Sequence, residues 1–165
     1  MKKKILIIIA TLLTVFIIIN AAWTIWRKLV YDPYTSGMEY HKVDMHITDA
    51  IVPRYIYKDT DGFDYSVKYP DYLSFTGNLA VGFPGTDEDP FTDGLIIWPK
   101  YNSGYEFGIM LNPKEPGSEG WMFYIDAYGN AIDPEYQPIA AEYSDVISEL
   151  LNRAFNFWNI KEDAA

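Results

Sequence analysis

The chain has 165 residues, 23 of them acidic and 13 basic, with 17% aromatic residues and no cysteine. The missing thiols exclude a disulfide framework and a lipid-modified cysteine anchor, and the aromatic content excludes a disordered tail, which lacks the apolar surface to offset chain entropy. Lys2, Lys3, Lys4, Arg27 and Lys28 lie before position 29, so the other eight basic residues face all 23 acidic ones, a balance of −15; a surface this acidic repels phosphate backbones and excludes nucleic-acid binding.

Lys2 to Lys4 precede a run, residues 5–26, that is apolar except for Thr11, Thr14, Asn20 and Thr24. As a helix, its 22 residues reach about 33 Å, enough to cross a bilayer's hydrocarbon core. The alternative is a cleavable signal segment cut near Ala22, but Asn20 then stands where a small side chain is wanted, which favours an uncleaved anchor. Trp23 and Trp26 suit the membrane interface, and Arg27 and Lys28 can reach headgroups. The heavier positive charge at the amino end predicts a cytoplasmic N-terminus and a domain outside the cell membrane. The chain thus divides into residues 1–28 as anchor or signal segment, 29–39 as a stalk marked by Asp32-Pro33 and Ser36-Gly37, and 40–165 as one extracytoplasmic globular domain.

Strand signals follow. Residues 51–58 and 63–69 are β-branched and aromatic runs around Asp59-Thr60-Asp61-Gly62, a hairpin pattern. Phe75, Gly77, Leu79, Val81 and Phe83 share one face of an extended chain that ends at Pro84-Gly85. An acidic loop, 86–92, leads to a strand over 94–101 with both faces apolar, expected to be central and covered on both sides. Asn102-Ser103-Gly104 turns into 105–112, where Tyr105, Phe107, Ile109 and Leu111 oppose Glu106, Gly108, Met110 and Asn112. After a Pro- and Gly-rich loop, residues 121–126 and Ala131-Ile132 flank a turn at Tyr128-Gly129-Asn130. From Pro138 the period changes: Tyr143, Val146, Ile147, Leu150, Leu151, Ala154, Phe155 and Trp158 recur every three or four residues, the mark of an amphipathic helix. The polar side of that helix is acidic, which favours packing on the sheet over binding a membrane. The expected fold class is α+β: an antiparallel sheet of about five or six strands built from hairpins, a C-terminal helix on one face, and an N-terminal transmembrane helix.

Candidate chemistry is sparse. Asp59, Asp61 and Asp64 gather three carboxylates of the kind calcium takes from an oxygen-rich loop. The pattern is incomplete, because Tyr57 stands at the first ligand position and Lys68 where a bidentate glutamate belongs. Asp87, Glu88, Asp89 and Asp93 form a second acidic group with less pattern. His41 and His46, with Asp44 between, are five residues apart, so no regular helix or strand presents both rings to one metal. No glycine-flanked serine elbow, phosphate-binding glycine loop or Ser-x-x-Lys occurs.

The stretch Gly120-Trp121-Met122-Phe123-Tyr124-Ile125-Asp126-Ala127-Tyr128-Gly129 resembles one unit of the aromatic hairpin repeats with which surface proteins bind choline or wall polymers. Such repeats bind between successive units, and one unit is present, so no function is carried over. No catalytic, cofactor-binding or metal residue is assigned. The expectation is a non-enzymatic interaction, accessory or immunity-type domain whose acidic surface meets a protein with a basic surface; the alternative is a wall-glycan binder or carboxylate-dependent hydrolase.

Overall fold

The computed structural model describes residues 2–41, 54–83, 93–100, 104–113 and 119–161. It is α+β, with a long apolar helix, an open antiparallel sheet and C-terminal helices in that order. Helix α1, Lys2–Tyr31, is long and apolar enough to span a membrane. Three of its polar side chains bond back within the helix, an arrangement compatible with lipid: Thr11 and Thr14 Oγ1 donate to the Ile7 and Ala10 carbonyls at 2.9 Å, and Asn20 Nδ2 to Phe16 O at 2.8 Å.

The sheet is a seven-stranded meander, β1 to β7 in chain order. Its strands are β1 Glu39–His41, β2 Arg54–Lys58, β3 Asp64–Lys68, β4 Asn78–Gly82, β5 Gly94–Pro99, β6 Tyr105–Leu111 and β7 Trp121–Ile125. The count exceeds the expected five or six because β1, three residues long, is too short to show a period; it is defined only by pairing Glu39 with Ile56 and Tyr40 with Tyr55. The Asp59 to Gly62 hairpin forms as expected. Asp59 N donates to Phe63 O at 2.8 Å, and Gly62 takes the positive φ of 88° that closes the turn.

Alternation decides which side chains are buried. Tyr65, Val67, Leu79, Val81, Leu95, Ile97, Phe107, Ile109, Leu111, Phe123 and Ile125 point to one face and form the core. That face is covered by α3, Ser144–Trp158, through Ile147, Leu150, Leu151, Ala154 and Trp158. The single helix expected from Pro138 onward is in fact two, because α2, Gln137–Glu142, ends at Tyr143 with φ −102° and ψ 19°. Tyr143 is drawn out of helical geometry by tertiary contacts: its hydroxyl donates to Asn112 O at 3.1 Å and its ring meets Trp121 edge-on at 5.9 Å. Strand β5 is central, but among the described elements a helix covers only one of its faces; Ile96 and Trp98 on the other are half-buried.

Residues 29–39, expected as a stalk, are packed against the domain. Tyr31, the last residue of α1, is 0% exposed and lies in the same core cluster as the sheet residues. Its hydroxyl accepts the Gly77 N–H at 2.8 Å. Beyond it a 3-10 turn, Asp32–Thr35, is held by Tyr69 donating to the Asp32 carboxylate, by Tyr34 and Tyr105 sharing a hydroxyl bond at 3.0 Å, and by Trp158 Nε1 donating to Tyr34 O at 3.2 Å. The apolar helix therefore runs without a break into the domain's interior.

The turn after β7 depends on one carboxylate. Asp126 Oδ1 accepts from Tyr128 N and Asn130 N at 2.9 and 2.8 Å, and Oδ2 from Asn130 Nδ2 at 2.9 Å. Partial burial pushes its pKa up, but these donors outweigh burial and hold it below the usual carboxylate value. A depressed folded-state pKa contributes stability that is complete above the unfolded value, about 4, and lost as pH falls through the folded one. Asp126→Ala is expected to cost about 1 kcal/mol near neutral pH, given the site's exposure to solvent. The difference from wild type, read from urea unfolding across a pH series, is expected to narrow as pH falls below about 4 and the folded-state carboxylate is protonated.

Candidate functional site

Two places on the domain have the shape and chemistry to meet a ligand, and a charged cluster explains one of them. Arg153 projects from α3 toward the β2–β3 hairpin. Its Nη1 lies 3.4 Å from Asp61 Oδ2 and 3.7 Å from Asp59 Oδ2, and its Nε 3.4 Å from Glu149 Oε1. The guanidinium stands over the Phe63 ring at 3.8 Å, a cation–π contact that fixes its plane. Beside it, burial raises the pKa of the Tyr65 hydroxyl while Arg153 pulls it the other way. Asp59, Tyr65, Glu149 and Arg153 line an open hollow of about 750 Å³ that also takes in Asp145 and Asn152.

Two of the three aspartates considered for calcium thus face a guanidinium, and the third, Asp64, faces Lys58 Nζ at 3.7 Å. Asp59 Oδ1 is further engaged by Thr60 N at 2.7 Å, the ordinary backbone role of an aspartate in a turn. With cations of its own beside these carboxylates, the hairpin is expected to leave the melting temperature unchanged between millimolar calcium and EDTA. A calcium-dependent rise abolished by Asp61→Asn would contradict that.

Of the other acidic candidates, Asp93 accepts the Asn112 N–H at 2.7 Å and gives its carbonyl to Phe83 N at 3.1 Å, tying the start of β5 to its neighbours. Asp87, Glu88 and Asp89 lie outside the described residues. So do Asp44 and His46, while His41 is the last residue of β1. Among the described residues no group of three or more His, Asp or Glu is placed to hold a metal ion.

The second place is the sheet face opposite α3. The strand register aligns Ile56, Ser66, Ala80, Ile96, Gly108 and Tyr124 in one row across it, and Met110 and Met122 in the next. Trp98 lies across Gly108, where a Cβ would come within 2.8 Å of its Cη2 and Cζ3 atoms, and its ring centre is 5.8 Å from that of Tyr124. Tyr124 and Met122 are each 56% exposed. At the β2 side, a cavity of about 1000 Å³ has Ile56, Ser66, Ala80 and Met110 in its lining and Glu39, Lys58 and Asp64 as its charges. The signal for this face was present in the sequence as Ile96, Trp98, Met110, Met122 and Tyr124, apolar residues in the outward phase of their strands. Locally, two apolar phases in one strand read as cover on both sides, the expectation for 94–101; only the assembled sheet shows that, among the described elements, no helix lies on that face.

No protein-family model, no curated protein and no solved structure matches this chain.

Proposed function

We propose that the protein is a non-enzymatic binding domain anchored by α1 in the cell membrane, with its N-terminus in the cytoplasm and the sheet domain outside. In this reading the domain holds a protein partner with a basic surface, as an accessory or immunity-type binder. The observation that carries it is the sheet face opposite α3. A sheet face with Trp98, Tyr124, Met110 and Met122 beside a mixed-polarity groove has the aromatic and methionine content of a protein-binding surface. The balance of −15 beyond residue 28 would draw in a cationic partner and speed its encounter.

A second reading, a wall-glycan binder, is favoured by one feature. Trp98, close over Gly108, with Tyr124 alongside offers aromatic surface on which a sugar ring can stack. A photo-crosslinking amino acid at Tyr124 of the full-length protein, expressed in its own cells, separates the two. A discrete protein adduct, absent when the probe is moved to Tyr128 on the turn after β7, is the expected result and supplies the partner for identification by mass spectrometry. Adducts to wall polysaccharide in place of protein would overturn the first reading and support the second.

A further inference from the structure

We propose that the loop between β3 and β4, through Tyr72, Leu73 and Phe75, is a second membrane contact that seats in the headgroup and upper acyl region of the leaflet from which α1 emerges. The inference rests on reading α1 as a membrane anchor. Counted from Ile5, about 20 helical residues fill the hydrocarbon core, so the lipid boundary falls near Thr24. The loop lies alongside the helix at that level. The Tyr72 hydroxyl donates to Asn20 Oδ1, and Ser74 O accepts from Trp23 Nε1 at 2.8 Å. The Tyr72 ring meets Trp23 edge-on at 5.4 Å, and Phe75 meets Trp26 at 4.8 Å.

Three properties of the loop fit lipid better than water. Tyr72, Leu73 and Phe75 are 48%, 44% and 60% exposed, and they lie at the depth where tyrosine and tryptophan belts are found. Three N–H groups of the loop are satisfied inside the protein, which lowers the cost of facing lipid: Ser74 N donates to Asp71 O at 2.8 Å, Thr76 N to Ser74 Oγ at 3.2 Å, and Gly77 N to the Tyr31 hydroxyl. Leu73 holds a φ of +58°, a conformation that branched side chains rarely adopt. A turn facing water would place Gly or Asn there; insertion of the leucine side chain into lipid gives the strain a compensation. The contact also removes a liability of the helix, because Asn20 would otherwise present an unpaired carbonyl oxygen to hydrocarbon.

The chain has no cysteine, so single-cysteine labelling of the full-length protein is clean. Leu73→Cys, Phe75→Cys, Val15→Cys and Tyr128→Cys would each carry an environment-sensitive fluorophore, with the protein in nanodiscs of phosphatidylcholine and phosphatidylglycerol. Val15 marks the centre of the anchor. Tyr128 marks the far end of the domain: the turn that holds it packs through Gly129 on Ile147, about 16 Å along α3 from Trp158, the end bonded to Tyr34. The expected result is blue-shifted emission, quenching by lipid-borne nitroxide and loss of quenching by aqueous iodide at 73 and 75 as at 15, but not at 128. If 15 is lipid-embedded while 73 and 75 are as accessible to iodide as 128, the loop contact is overturned and the anchor stands. If 15 is also in water, the anchor reading fails and the loop contact fails with it.

Discussion

Gly77→Ala is expected to destabilise the domain by about 3 kcal/mol or more, a large part of the ~5–15 kcal/mol that separates a folded domain from its unfolded chain. A Cβ at this position would clash with the Lys68 carbonyl oxygen and sit 2.8 Å from Cε1 and Cζ of Tyr31. Neither neighbour gives way easily. Lys68 is held in the β3 ladder opposite Asn78, and Tyr31 is fully buried at the end of α1. The same contact has a gentler probe. Tyr31→Phe keeps the ring but removes the acceptor of the Gly77 N–H, leaving a buried donor unsatisfied at about 1–3 kcal/mol. In a double mutant, Tyr31→Ala should relieve part of the Gly77→Ala penalty, since the ring clash disappears while the Lys68 clash remains; additive costs would show that the two residues do not meet. Urea unfolding of the detergent-solubilised full-length protein, followed by near-UV circular dichroism, reads all four variants.

Trp158→Ala is expected to cost about 3–5 kcal/mol, the range for removing a large buried aromatic ring. Trp158 is nearly buried at the end of α3, edge-on to Tyr65 at 5.7 Å and to Phe157 at 5.3 Å. Its Nε1 also donates to Tyr34 O, so it joins the sheet-covering helix to the turn that follows α1. Trp158→Phe retains most of the packing and loses that bond, and is expected to cost about 1 kcal/mol from the bond itself, with a further packing loss from the smaller ring. The same unfolding measurement checks both. A Trp158→Ala variant within 1 kcal/mol of wild type would mean that α3 does not close the core as described.

The elements legible in the sequence were those with a clean period. Tyr105, Phe107, Ile109 and Leu111 alternate with Glu106, Gly108 and Met110, and β6 forms with that register and facing. The three- and four-residue spacing from Ile147 to Trp158 likewise gave α3 and its buried face. Local reading failed where distant contacts decide. Phe75 and Gly77 share the phase of Leu79 and Val81, yet β4 begins only at Asn78, because Gly77 is occupied by Tyr31 and Phe75 by Trp26. The anchor was expected to end at residue 28, but α1 runs on to Tyr31, and nothing near Asp32-Pro33 in sequence reveals that Tyr31 is core; its partner Gly77 lies 46 residues away. The candidate cation site shows the same limit. Asp59, Asp61 and Asp64 are visible as a cluster, whereas Arg153, brought in by the packing of α3, is not.

The placement of the domain rests on α1 remaining attached, and the intact mass of the protein recovered from fractionated cells tests this most directly. Anchoring predicts that the species in the membrane fraction retains residues 2–22. A shorter species beginning at Trp23, recovered from the medium, would contradict it.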